Sequence, residues 1–180
     1  MTKPISAGLL ALAMAPLAFA AGPQPRTALH LLPPEVSAAL QQQVGDRYGA
    51  AEVDVLRGLL RDSLQRALAS AGVDIDDKAG IAATVEIFEA RPTHPTAREM
   101  QANPGIDFLA SRSLGGARVH VVLGAGAGKE PRQFDCGYYA PSLWEISQAA
   151  MAWADAQLAF DRCADELVVA LQRLSAGQGG

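Results

Sequence analysis

The stretch "VHVVLGAGAGKE", Val119 to Glu130, decides the fold, because it reads either as a strand feeding a phosphate-binding loop or as one arm of an antiparallel hairpin. A phosphate loop needs Gly, four residues, then Gly-Lys followed by Ser or Thr, so that loop amides wrap the phosphates and the hydroxyl binds magnesium. Here Leu123 stands where the first glycine belongs and Glu130 where the hydroxyl belongs. Such a loop also opens a helix whose N-terminus donates to phosphate, whereas Pro131 and the alternating "RQFDCGYY" predict a strand. The dinucleotide pattern fails as well, since Gly124 and Gly126 are followed by Lys129 at the third glycine position. Gly124 to Lys129 therefore reads as a hairpin loop between antiparallel strands.

The flanking segments extend that reading. "ARVHVVL" sets Ala117, Val119, Val121 and Leu123 against Arg118, His120 and Val122, and "RQFDCGYY" places Phe134, Cys136 and Tyr138 on one face. "GIAATVEIFEA" sets Ile81, Ala83, Val85 and Ile87 against Ala82, Thr84, Glu86 and Phe88, the period-two pattern of a strand with one buried face. From Ala50 to Ala71 the period changes: Val53, Leu56, Leu60, Leu64 and Leu68 recur at helical steps and Gly72 ends the run. "VDIDD" after it reads as a short strand with Val73 and Ile75 on one side and its acids on the other.

The spacing of Asp74, Asp76 and Asp77 lacks the glycine turn and terminal glutamate of a calcium loop. A long connection, "RPTHPTAREMQANPGIDFLASRSLGG", carries three prolines and one expected helical turn near Ala97 to Gln101; connections of this length are often functional. Ser142 to about Leu174 holds no Pro or Gly, and Ser142 with Glu145 fits a capping box, so the sequence predicts one long helix, or two with a bend between Ala154 and Leu158.

The N-terminus "MTKPISAGLLALAMAPLAFA" has one cation, an apolar core and small residues at Ala18 and Ala20, the layout of a secretory signal cleaved after Ala20. Its apolar run is shorter than the ~20 residues that span a bilayer, and no cysteine follows it to accept a lipid. The expected mature chain, residues 21–180, is a periplasmic or secreted protein without a transmembrane segment. It opens with a proline-rich segment, 21–49, in which Leu29, Leu31 and Leu32 suit a short strand and Pro34 suits the start of a helix ending before Gly45. An α/β domain over 50–174 and a flexible tail over 175–180 complete the expected division.

Removing one lysine and no acid takes the formal charge from −4 to −5, without the basic footprint that nucleic-acid binding needs. Two cysteines, Cys136 and Cys163, remain in an oxidising compartment. They suit either one disulfide or two buried thiols.

Candidates for chemistry are few. His30, His94 and His120 lie far apart in sequence, with no local metal-binding spacing, and no serine stands in a nucleophile elbow. No catalytic residue, metal site or cofactor is expected. Tyr138, Tyr139, Trp144 and Trp153 gather where the last strand meets the final helix. With His94 in the long connection they form the expected binding surface, the plainer alternative being rings that pack helix on sheet.

Four segments, "EVDVLRGLLRDSLQRALASAGVDI", "GIAATVEIFEARPTHP", "LGGARVHVVL" and "AFDRCADELVVALQRL", follow one another in an order that resembles a family of uncharacterised bacterial envelope proteins with a lipoprotein-type domain of unknown function. The resemblance implies a small α/β domain, a mixed or antiparallel sheet carrying helices, tethered to a membrane by a lipidated cysteine. It supplies no catalytic residues. This chain has Ala20-Ala21 where that cysteine would stand, and Cys163 where a tryptophan is common.

Together these readings predict an α/β (α+β) domain with a mostly antiparallel or mixed sheet. Strands are expected around 73–77, 81–90, 117–123 and 132–138, packed against helices 51–71 and 142–174. The leading functional expectation is a non-catalytic binding or accessory module of the cell envelope, recognising a protein or a small envelope ligand. The alternatives are an exported hydrolase whose site assembles only in three dimensions and a structural assembly subunit.

Overall fold

The computed structural model describes residues 27–125 and 130–176. The expected signal segment 1–20, the hairpin residues 126–129 and the last four tail residues lie outside them.

The elements are β1 (Ala28–Leu31), β2 (Glu35–Val36), α1 (Ala38–Arg47), α2 (Ala51–Ser70), β3 (Asp74–Ile75), β4 (Ile81–Arg91), α3 (Ala97–Ala102), β5 (Gly116–Ala125), β6 (Arg132–Tyr139) and α4 (Ala154–Ala176). They build a mixed six-stranded open sheet, ordered β3-β1-β4-β5-β6, with β2 also paired to β4. The decisive pair behaves as an antiparallel hairpin predicts: β5 and β6 run antiparallel, with Val119 opposite Cys136 and Val121 opposite Phe134. β4 joins β5 antiparallel over its length, while β1, β2 and β3 add parallel.

The period-two alternation sorts the two faces of the sheet. Ile81, Ala83, Val85, Ile87, Ala117, Val119, Val121 and Leu123 are all buried. Arg118, His120 and Asp135 line the opposite face, where none of the described helices packs. A bulge between Ile87 and Glu89 shifts the register of β4 and returns Ala90 to the core side. Against the apolar face lie α2 and α4. Leu56, Leu60, Leu64 and Leu68 of α2 meet Ala156, Ala159, Phe160, Cys163 and Leu167 of α4 in one core, the alanines letting the helix sit close to the sheet. Full burial of a Leu or Phe contributes roughly 1.5–3 kcal/mol. Polar bonds also tie the helices: Ser63 Oγ donates to Asp161 Oδ1 at 2.7 Å and Gln157 Nε2 donates to Ser63 Oγ at 2.7 Å.

Several expectations are corrected. The helix expected at Pro34 starts at Ala38, with Ser37 accepting from the Leu40 amide. Glu35 and Val36 are captured by the free edge of β4, beyond the break that Pro33 and Pro34 impose on β1 by lacking ladder donors. The helix then passes Gly45 because burial of Leu40 and Val44 outweighs a glycine's roughly 1 kcal/mol helix penalty. At β3 both strand residues are exposed, Ile75 at 46%, and only Val73 just before the strand turns inward, since this two-residue strand is the sheet's edge.

The largest correction concerns the C-terminal helix, which begins at Ala154 instead of Ser142. Ser142 and Glu145 make one isolated turn, the Glu145 amide donating to the Ser142 carbonyl, with Leu143 exposed where a continuous helix would turn it to the core. At the far end α4 continues to Ala176, past the expected end at Leu174.

Cys136 of β6 and Cys163 of α4 form a disulfide across the layers, their Cα atoms 5.4 Å apart and the bridge closing a separation of 27 residues. It anchors the edge strand β6 to the long helix. Replacing both cysteines by Ala should lower unfolding stability by about 3 kcal/mol, the cost of freeing a loop of that length in the unfolded chain, measured by urea denaturation against the oxidised protein.

Candidate functional site

Two irregular segments meet at one end of the sheet: the connection from Pro92 to Gly115, leaving β4, and the stretch from Ala140 to Trp153, leaving β6. Their junction is a hydrogen-bonded knot around a buried carboxylate. Asp155, 0% exposed in the first turn of α4, accepts from Thr93 Oγ1 at 2.9 Å through Oδ2 and from the Ser147 amide at 2.8 Å through Oδ1. Thr93 Oγ1 accepts in return from the Asp155 amide at 3.0 Å. The amides of Thr93 and His94 both donate to the Ala152 carbonyl, at 2.7 and 3.2 Å. A carboxylate in the first turn also gains from the helix dipole.

The knot explains why 142–153 is not helical. Ala152's carbonyl serves Thr93 and His94, Ser147's amide serves Asp155, and Glu145's carbonyl accepts from the Tyr138 hydroxyl. The connection is tied from its other end as well. Ser113's amide donates to the Thr93 carbonyl at 2.9 Å and its hydroxyl to the Pro92 carbonyl at 2.6 Å. Gly115 passes so near that a Cβ there would stand 2.8 Å from the Thr93 nitrogen, which explains one glycine of the Gly115-Gly116 pair. Thr96 and Glu99 form a reciprocal capping box that starts α3.

The structure separates the five residues of the expected binding surface. Trp144 is 94% exposed, on a backbone braced by the knot. Trp153 is 1% exposed, its indole N–H donating to Glu52 Oε2 at 2.7 Å and its ring meeting Tyr48 edge-on. Tyr138 and Tyr139, adjacent in β6, point to opposite faces. The first lies under the Arg162 guanidinium, and the second lies beside Arg91 and donates to Glu89 Oε2 at 3.4 Å. Burial first and Glu89 second push the Tyr139 phenol up to about 12. His94 is 2% exposed, stacked on Phe108, with Nδ1 2.9 Å from the Phe108 carbonyl. A carbonyl only accepts, so Nδ1 is the donor of that bond, and Nε2 is buried with no partner among the described residues.

Three further apolar residues, Leu143, Leu109 and Leu114, are exposed. They sit on the same two segments, which are laced together where Arg112 donates to Gln148 and the Ala140 amide donates to the Gly115 carbonyl. Sequence reading did not single out Leu109 and Leu114, which are leucines in a segment without a period.

Two adjoining cavities, of about 240 and 380 Å³, open beside them under Pro92. Their walls include Arg47 and Tyr48 at the end of α1, Arg91 at the end of β4, and His94 and Arg112 of the connection. Burial raises the Tyr48 phenol, Arg47 opposing it, Glu99 adding to it and Arg91 opposing it. The larger cleft between α2 and α4, about 480 Å³, is lined by Ser63, Arg66 and Asp161, which bond one another across the helix pair. On the open sheet face His120 Nδ1 lies 2.6 Å from Asp135 Oδ1. Among the described residues no group of three or more His, Cys, Asp or Glu side chains is placed to hold a metal ion, and no helix is long and apolar enough to cross a membrane.

No family model and no curated protein sequence matches this chain. Among solved structures, it is similar to a Xanthomonas campestris protein assigned to the family DUF330, at 16% identity over 88% of this chain and 90% of that one, TM-score 0.45. It is also similar to a minor lipoprotein of Acinetobacter baumannii, at 16% identity over 87% and 96%, TM-score 0.35. A third is the rare lipoprotein B of Shewanella oneidensis, at 13% identity over 84% and 96%, TM-score 0.32. The second and third of these are named as lipoproteins. Identities and TM-scores this low leave function to the chain's own residues.

Truncating Asp155 to Ala strands the Thr93 hydroxyl and the Ser147 amide and should cost about 3 kcal/mol or more; Thr93→Val should cost about 2 kcal/mol. Urea unfolding should show the double variant losing at least about 1 kcal/mol less than the sum, the mark of one coupled unit. At alkaline pH the sign follows from the raised Tyr139 pKa. Its contribution is intact below the ordinary value of 10.0 and is lost as pH rises toward about 12. Tyr139→Phe should flatten that decline in an alkaline unfolding series.

Proposed function

We propose that this chain is an exported, non-catalytic binding or accessory module of the cell envelope, which docks a partner through the braced segments at one end of its sheet. The observation that carries this is Trp144: a tryptophan 94% exposed, next to exposed Leu143, on backbone held by a buried carboxylate. Aromatic anchors on a preorganised surface contribute most of the binding energy in protein contacts and cost little ordering entropy. Leu109 and Leu114 add exposed apolar side chains on the connection that is hydrogen-bonded to the same stretch. Export is supported by the signal-like N-terminus and by the cross-layer disulfide, a bond characteristic of oxidising compartments.

The hydrolase alternative has less support. His120 pairs with Asp135, but among the described residues no serine hydroxyl or cysteine thiol is bonded to His120. His94 is oriented by a carbonyl, and among the described residues no nucleophile is hydrogen-bonded to Nε2.

A photo-reactive amino acid placed at position 144 in living cells should give a cross-linked adduct of one defined mass, lost on Leu143→Asp. The same probe at Gln65, exposed on the far side of α2, should give none. Equal adducts from both positions, or none at 144, would sink the docking reading.

A further inference from the structure

The sheet ends in β3 on one side and β6 on the other, and the two outer strands differ. β3 is two residues long, and a short outer strand is one way a sheet avoids pairing with other chains. β6 runs for eight residues without a proline, a lysine or a bulge, and its register against β5 is unbroken. The Ala140 amide, donating to the Gly115 carbonyl at 3.1 Å, continues that register. Bonded and unbonded pairs alternate along an antiparallel ladder. Phe134, Cys136 and Tyr138 therefore bond to β5, while the N–H and C=O groups of Gln133, Asp135, Gly137 and Tyr139 point off the sheet. No backbone group of the described residues meets them, and an open outer strand of this length is a template for pairing.

Cavities flank this edge on both faces. On the helix side one of about 340 Å³ is lined by Phe134 of β6 and by Glu166, Val169 and Arg173 of α4, Val169 being 43% exposed. On the open side one of about 260 Å³ is lined by Arg118, Asp135, Gly137 and Tyr139. An added strand draws affinity from main-chain bonds along such an edge and specificity from pockets that take its alternate side chains.

We propose that β6 pairs with β6 of a second copy of this chain, antiparallel about a two-fold axis through Cys136, so that two sheets join into one. In that register Gln133 exchanges bonds with Tyr139, and Asp135 with Gly137. Pro131 and Pro141, which lack donors, stand opposite each other just outside the paired segment. Slipping by two residues either way brings a proline opposite Gln133 or Tyr139, and one of the two slips also sets Asp135 against Asp135. On the helix side Phe134 meets Tyr138, an aromatic cross-strand pair made twice. On the open side Asp135 comes opposite Gly137, where a Cβ would stand 3.0 Å from the side chain of Arg118, so the entering carboxylate arrives beside a cation. α4 packs across both β5 and β6. One strand spacing of ~4.8 Å and two half-spacings then set the two copies of α4 about 10 Å apart, the distance of packed helices. Arg162, over Tyr138, is turned toward Glu166, beside Phe134, of the other copy. The pairing does not use Trp144, so the docking reading stands or falls separately.

The test is sedimentation of the protein purified from its own cells, from micromolar to millimolar concentration, with amide exchange measured at both ends of the range. A monomer–dimer equilibrium is expected, closing at two because an isologous contact occupies the edge of both copies. In concentrated protein the Gln133, Asp135, Gly137 and Tyr139 amides should gain protection that they lack in dilute protein, while Phe134, Cys136 and Tyr138 stay protected in both. Gln133→Pro removes an outward donor and no bond to β5, a place where an outer strand tolerates proline, and should weaken dimerisation at least tenfold. Arg162→Glu should also weaken it, and Arg162→Glu/Glu166→Arg should restore it, which keeps the test decisive if the proline variant fails to fold. A monomer throughout, assemblies larger than two, unchanged dimerisation in a folded Gln133→Pro, a charge swap that restores nothing, or a dimer whose outward amides stay unprotected would overturn the proposal.

Discussion

The bond between Thr93 and Asp155 holds together the part of the molecule on which function depends. It joins residues 62 positions apart in sequence, and it is buried at both ends. A carboxylate taken from water into a core is costly unless its oxygens are met by donors. Thr93 and Ser147 supply them, so the segments that carry both residues are committed to one geometry. Helix propensity over 142–153 cannot compete: it is worth tenths of a kcal/mol per residue, and a helix of that length is marginal in water. Hydrogen bonds to a charged group are worth about 1.5–3 kcal/mol each. The chain therefore gives up three turns of helix and presents Trp144 on a fixed loop.

The rest of the fold places that knot. A two-layer domain can bury only one face of its sheet, and the alternation in β4 and β5 turns that face toward α2 and α4. The disulfide fastens α4 to β6 on the same side. With both ends of 140–153 anchored, to β6 and to α4, the stretch between becomes a surface instead of a linker. Cavities lined by Arg47 and Tyr48 arise at the same end, where α1 stops at Arg47 and β4 stops at Arg91.

Much of the sheet was legible in the sequence because burial of one strand face writes itself as period two. Ile81 to Ile87 and Ala117 to Leu123 alternate without exception, and α2 repeats its leucines at helical steps. What was not legible depended on contacts between distant segments. Nothing local to Ser142–Trp153 announces that Ala152's carbonyl will serve Thr93, and the absence of Pro and Gly there argues for the wrong structure. Trp144 and Trp153 look alike in sequence, yet one is solvent-facing and the other caps the core against Tyr48. The bulge at Ile87/Glu89 and the capture of Glu35 and Val36 by β4 are likewise long-range events. The cavity side chains come from α1, β4 and the connection, and no spacing rule links Arg47, Arg91, His94 and Arg112.

The central claim is that 140–153 is an irregular surface braced by a buried carboxylate. Amide hydrogen exchange, residue by residue in the native protein, bears on it most directly. The Ser147 amide, bonded to Asp155, and the Thr93 and His94 amides, bonded to Ala152, should be strongly protected, while the Leu143 and Trp144 amides exchange fast. Protection running continuously from Ile146 through Ala154, as a helix would give, or fast exchange at Ser147 and Thr93 alike, would contradict it.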